Sequence, residues 1–396
     1  VASRTFSTHH PLVHVLLLGG TVCGVHKLTG SYNLGIACYT VLQMAVVAGG
    51  IAFLFWYLRE RRISRGIRLL GLFYLGLFPT VVMFTLCSAK DALFTTALLL
   101  LMICLLEMGA QERFFTSRGW RLLFVLSGMA MMLFRNNGFY AFLVMIPFLL
   151  FLQKKQWRQI LFLTACAVAG CLFVNVGLKT ALHAQSGEYQ EILTVPIQQM
   201  ARTYKYAPEV FTPEDRETLY EVLSKEALSL YTPRLSDPIK YRFDNAAFAE
   251  DKAKYGSLWL RTGMKKPLIY LNAWFMTSYG FWYPDTVINV YGGNTVFTFT
   301  YKDNSYFGYE VEEPGVRESK IPWLDEIYRR LSLEVWKEKA PVVSWLFSPG
   351  AMFWFIAFLF TWMLNRRRYE IMYPFLPVFL LWLTVLLGPT YLPRYV

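Results

Sequence analysis

Apolar runs recur along this chain, and the polar connections between them alternate in character. The runs fall at 33–58, 67–87, 91–110, 119–135, 138–153, 159–181, 346–365 and 370–388. A helix needs about 20 mainly apolar residues to cross a bilayer, so each is read as a span. The fourth and fifth are short and share the turn Arg135-Asn136-Asn137-Gly138, which suits tilted helices or ends inside a protein-lined cavity. Pro79, Pro147, Pro374 and Pro377 lie within runs. Membrane helices tolerate proline where neighbouring groups satisfy the freed backbone.

Every second connection is basic. Arg59, Arg61, Arg62, Arg65 and Arg68 follow the first long run, and Arg113, Arg118 and Arg121 follow the third. Lys154, Lys155 and Arg158 follow the fifth, and Arg366, Arg367 and Arg368 follow the seventh. Lys and Arg hold a connection in the cytoplasm, so the connections between, SAKD (88–91), RNNG (135–138), the insert 183–345 and the tail 388–396, are expected together outside.

Segment 11–28 is apolar but carries His14, His26 and Lys27. Were it to cross, the span at 33–58 would be inverted and its arginines would face outward, so an interfacial helix on the outer surface is expected. The chain starts at Val1 on polar residues that the alternation places outside, which implies a preceding span; the last run is expected to be cut short as well.

The insert reads as a folded domain. Thr212-Pro213-Glu214-Asp215 is a helix start, with a capping hydroxyl, proline in the first turn and acids near the positive end of the helix. Further helices are expected at 254–278 and 322–338, and the alternating, β-branched and aromatic stretch 286–311 reads as short strands and turns. The resulting class is mainly α: a polytopic transmembrane helical bundle with an interfacial juxtamembrane helix and one extracytoplasmic α+β domain. Its parts are an outer segment 1–32, about six spans in 33–182, the outer domain 183–345, and about two spans in 346–396.

Charge placement removes one function class. The chain carries a net charge of +12, yet 183–345 holds 19 basic and 22 acidic residues, leaving 20 of the 39 basic and 5 of the 27 acidic residues for the rest. The excess therefore orients the chain in the membrane and does not mark a nucleic-acid surface. Six cysteines (23, 38, 87, 104, 166, 171) lie in or beside apolar runs and none in the insert, so no disulfide framework is indicated.

Asp91 is the sharpest chemical candidate, an acid at the outer mouth of a span. It also suits a plain helix start, with Ser88 as cap, Lys90 as partner and the helix N-terminus favouring the carboxylate. Arg135, with Asn136 and Asn137 beside it, stands where the charge rule disfavours a cation; a guanidinium there suits a phosphate. The alternative is a tight turn in which Gly138 takes positive φ. Arg394 repeats the pattern at the exit of the last run. His9, His10 and His14 resemble part of a metal cluster, but no acid or cysteine nearby completes it, and contacts at the mouth of a cleft are the preferred reading. In the insert, Gln198, Gln199 and Arg202 offer amides and a cation, and Tyr283 and Asp285 place an acid among aromatics; both sets suit a sugar, and both suit ordinary packing.

The order HHPLVHVLLLGG, SAKDALF, RNNGFY, PIQQMAR, FWYPD, RY resembles the arrangement of GT-C glycosyltransferases, including protein mannosyltransferases and lipid A aminoarabinose transferases. It looks closer still to a group of GT-C-like proteins from Gram-positive bacteria. The resemblance implies a polyprenyl-phosphate-sugar donor, an acceptor outside the membrane, inverting transfer, and compatibility with a divalent metal ion as cofactor. It implies that Asp91 orients the acceptor or a metal, with the principal base upstream of Val1 and Arg135, Arg394 and Lys90 around the donor phosphate. His9, His10, Asn136, Asn137, Gln198, Gln199, Arg202, Tyr283 and Asp285 would contact substrate. The rival classes are a transporter or flippase of a lipid-linked or anionic solute, and a membrane anchor for an outer binding domain. Against transport, the spans hold few polar groups, chiefly Gln43, Glu107 and Asn175.

Overall fold

The computed structural model describes residues 5–110, 113–185, 187–286, 319–332 and 341–388. It divides into two compact units. The first comprises Val1–Gln185, Gly293–Val343 and Ile356–Leu381; the second comprises Ser186–Gly292, Ser344–Phe355 and Trp382–Val396.

The first stretch of the first unit holds the helices α1 (Leu12–Thr29), α2 (Tyr32–Glu60), α3 (Arg65–Leu77), α4 (Pro79–Leu86), α5 (Lys90–Ala110), α6 (Arg118–Phe134), α7 (Asn136–Leu152) and α8 (Trp157–Ala181). Their ends follow local chemistry. Ser31, Ser64 and Ser117 each accept a hydrogen bond from a backbone N–H in the first turn of α2, α3 and α6. Gly30 closes α1 at φ 76°, a conformation that lets the α1–α2 connection turn within two residues. Phe78 is extended before Pro79, so the expected span 67–87 is two helices bent by 52°.

Helix α5 sits at the centre. Leu101, Ile103, Leu105 and Met108 are fully buried against Phe124 and Met131 of α6 and share a core with Phe142 and Met145 of α7 and Ile160 of α8. The outward faces are apolar instead of polar: Leu70, Phe73, Phe151, Phe162 and Phe173 are exposed, as lipid-facing residues are. Among the described residues, α1, α2, α5 and the segment 154–181 are long and apolar enough to cross a membrane, and the bent α3–α4 pair makes a fifth. Helix α1, which the charge pattern assigns to the outer interface, thus has the length of a span itself.

The second unit is helical in its described part: α9 (Thr194–Tyr206), α10 (Pro213–Val222), α11 (Lys225–Ser229), α12 (Asp237–Lys240), α13 (Asn245–Glu250), α14 (Lys252–Lys265) and α15 (Pro267–Ser278). The α+β character expected of this domain gains no support, since its described residues form no strand and 287–311 lie outside them. The single helix expected at 254–278 is broken, because the residue before a proline avoids helical geometry and Lys266, before Pro267, has ψ 62°. The helix expected at 322–338 appears as α16 (Pro322–Ser332) and belongs to the first unit, where the Tyr328 hydroxyl donates to the Leu77 carbonyl at 2.6 Å.

The start of α10 forms as its sequence predicts. The Thr212 hydroxyl accepts from the Asp215 N–H at 3.1 Å, and the Asp215 carboxylate accepts from the Thr212 N–H at 3.2 Å. Arg261 of α14 adds a charged hydrogen bond to Asp215 at 2.7 Å. Burial alone would raise the Asp215 carboxyl, but the bonds from Arg261 and Thr212 outweigh it and hold it below its usual value. A carboxyl lowered in the folded state contributes stability that is complete above its unfolded value and is lost as pH falls through its folded value. Acid unfolding of this unit, followed by circular dichroism, should therefore lose its steepest part in Asp215→Asn. Thr212→Ala should cost about 1 kcal/mol at neutral pH.

Candidate functional site

Asp91 lies in the first turn of α5 and is 8% exposed. The segment before it is held from α2. Gln43, itself 1% exposed, donates its amide to the carbonyls of Thr85 and Cys87, each at 2.7 Å. These carbonyls have no partner within α4, because they lie at its C-terminal end. One buried amide thus fixes where α5 starts and where Asp91 stands.

Arg135 is the whole connection between α6 and α7, a single extended residue with φ −148° and ψ 134°. Its guanidinium lies 5.4 Å from the ring centre of Phe94 and 3.3 Å from Asp91 Oδ1. The expected positive φ at Gly138 is not found, since Gly30 is the one glycine with positive φ among the described residues. Gly138 serves a different need. A Cβ there would stand 2.5 Å from the Met131 carbonyl oxygen and 3.1 Å from the Phe94 ring. Gly138→Ala should destabilise the chain by about 1–3 kcal/mol through overpacking, and should also displace Phe94 from Arg135. A thermal midpoint measured in detergent, beside the Asn136→Ala control, checks this.

Three further side chains, Tyr39, His14 and Gln43, lie near the start of α5. Tyr39, one turn before Gln43 on α2, is fully buried, and His14 of α1 meets its ring edge-on at 6.0 Å between centroids. Lys90 and Asp91 both act electrostatically on His14. Four buried atoms of this group, His14 Nε2, Tyr39 Oη, Gln43 Oε1 and Asp91 Oδ1, make no hydrogen bond among the described residues. Asp91 Oδ1 has its ion pair with Arg135, but the other three have no partner among the described residues; a buried polar group without one costs about 1–3 kcal/mol, so three near the start of α5 call for a reason. Acceptors and hydroxyls gathered this way match the needs of a hydroxyl-bearing ligand.

The remaining candidates are placed as follows. Lys90 is half-buried beside Asp91, Asn136 is exposed, and Asn137 is half-buried in the first turn of α7. His9 and His10 are exposed with their rings 4.6 Å apart, next to a short parallel bridge between Ser7 and Gln185. No three His, Cys, Asp or Glu side chains among the described residues are grouped to hold a metal ion. Gln198, Gln199, Arg202, Tyr283 and Asp285 belong to the second unit. Gln198 bonds the Leu235 carbonyl at 3.1 Å, and Gln199 ties the Tyr270 carbonyl to the Trp259 indole. Arg202 donates to the Tyr231 hydroxyl at 3.0 Å, and Asp285 accepts from the Trp345 indole at 2.8 Å. These contacts are the packing alternative for that set, of which Tyr283 and Asp285 are exposed. Arg394 lies outside the described residues.

The apolar helices define a helical membrane protein with a polar cluster at the start of α5. The chain belongs to a family of unknown function, DUF6020, which matches residues 2–391. No curated protein and no solved structure matches it.

Proposed function

We propose that the chain is a GT-C-type glycosyltransferase of the plasma membrane, moving a sugar from a polyprenyl-phosphate donor to an extracytoplasmic acceptor with inversion. The observation that carries this reading is the buried Asp91–Arg135 pair ringed by unsatisfied polar atoms. An oxygen of the acceptor attacks the anomeric carbon as the bond to the lipid phosphate breaks. The acceptor proton passes to a carboxylate base, and the charge left on the phosphate is stabilised by a preorganised cation. Arg135 supplies that cation. Its guanidinium is shared between Asp91 and the phosphate, so donor binding loosens the ion pair and frees Asp91 to orient the acceptor hydroxyl. His14, Tyr39 and Gln43 receive sugar hydroxyls.

Glu107, the most deeply buried acid of the spans, is taken up by Arg61 and Arg113, which leaves it no part in a solute path. Transferase and flippase separate cleanly in proteoliposomes loaded with a radiolabelled polyprenyl-phosphate sugar. A transferase releases sugar from the lipid to acceptor or water. A flippase moves the intact lipid-linked sugar between leaflets, and that outcome overturns the proposal.

A further inference from the structure

We propose that the second unit holds one hydrocarbon chain of a lipid in an apolar cavity and that the chain enters it past Gly256, an exposed residue of the lining. The cavity has a volume of about 220 Å³ and is walled by residues such as Met200, Leu219, Leu223, Phe243, Phe248 and Leu258. An engineered apolar cavity of about 150 Å³ stays dry and takes up benzene, so this one is large enough for hydrocarbon. Its two polar wall residues are committed elsewhere. The Tyr255 hydroxyl donates to Glu221 at 2.7 Å, and the Trp259 indole donates to Gln199 at 2.8 Å. A peptide or a sugar would bring N–H or O–H groups that find no partner here, at about 1–3 kcal/mol each. A chain of methylene or isoprene units brings none.

Gly256 is the second observation. It lies inside α14 and is exposed, and a Cβ built on it meets no atom within 4 Å. Neither close packing nor positive φ requires glycine there, and glycine costs a helix interior about 1 kcal/mol relative to alanine. The space its missing side chain leaves is where the hydrocarbon chain would pass. From Gly256 an apolar row continues along the same face of α14: Leu260 is 55% exposed and Met264 71% exposed. Ile192, next to the wall residue Leu193, is 78% exposed. A polar domain surface would not be expected to carry such a track unless apolar matter lay on it. The inference stands apart from the reaction at Asp91.

The test is photolabelling of the full chain in bilayers. Two probes are used, each with a diazirine at the tail end: one on a phospholipid acyl chain, one on a polyprenyl phosphate. Mass spectrometry should find label on the peptides carrying Phe248 and Leu258 with one or both probes, and the probe that labels identifies the source of the chain. The spans, labelled in the same sample, report that the lipid was present. Gly256→Phe should lose the label on those two peptides while the spans keep theirs, and Gly256→Ala should keep both. Spans labelled by both probes with the wild-type cavity peptides bare would overturn the inference, and this arm decides even where Gly256→Phe fails to fold. Label surviving in a Gly256→Phe chain with wild-type circular dichroism would overturn it equally.

Discussion

Arg135→Ala should abolish sugar transfer and also destabilise the chain, and the two losses should separate in the double variant. Asp91 and Arg135 are 11% and 15% exposed at the side chain, so removing the guanidinium leaves a largely buried carboxylate without its counter-charge. Breaking a buried pair costs about 3–5 kcal/mol, and partial exposure places this pair at the lower end. Adding Asp91→Asn removes the stranded charge and should restore most of the thermal midpoint. It should not restore transfer, because on the proposed mechanism the donor phosphate loses its cation and the acceptor its orienting carboxylate. Recovery of turnover together with stability would reduce the pair to a helix clamp.

The second large effect is expected at the opposite end of α5. Glu107 is fully buried and is held by Arg61 and by Arg113, the latter at 3.1 Å. The arginines are 26% and 43% exposed and lie against Tyr57, Trp56 and Trp120. This asymmetry decides the sign of the comparison. Without Glu107 the arginines extend to water or lipid head groups and keep their stems packed. Without both arginines the carboxylate stays buried and must take up a proton or pull the helix outward. Arg61→Ala with Arg113→Ala should therefore cost about 3–5 kcal/mol, well beyond the cost of Glu107→Leu. Unfolding in mixed micelles measures both, and equal costs would contradict the assignment.

The longer helices of the membrane unit were legible in the sequence because apolar runs report on lipid, which acts on each segment separately. The expected 33–58 and 91–110 appear as Tyr32–Glu60 and Lys90–Ala110. The Thr212 cap was legible for a similar reason, being contained within four residues. What depended on distant partners was not. The turn glycine offered as the alternative reading of Gly138 does not hold, and its smallness answers to Met131 and Phe94. Pro267 carried the signal for the break in 254–278, yet the apolar pattern ran through it. Asp91 and Arg135 were singled out separately, as acid and cation at mouths of spans; that they pair follows only from α5 packing on α6. Gln43 stood out as a polar residue in a span and His14 as a histidine in an apolar run. Tyr39 gave no signal, since a tyrosine in an apolar run looks the same whether it lines a site or meets lipid. The amides Gln198 and Gln199 looked like sugar ligands because type and spacing cannot tell a ligand from a carbonyl clamp.

The most direct measurement is sugar release from a panel of radiolabelled polyprenyl-phosphate donors by the chain in lipid, with Asp91→Asn beside wild type. Losing a preorganised polar group in the transition state typically costs about 10²–10³ in rate. The account predicts that wild type turns over at least one donor and that the variant, folded by circular dichroism, falls by that factor. A folded Asp91→Asn chain that turns over every accepted donor at the wild-type rate would contradict it.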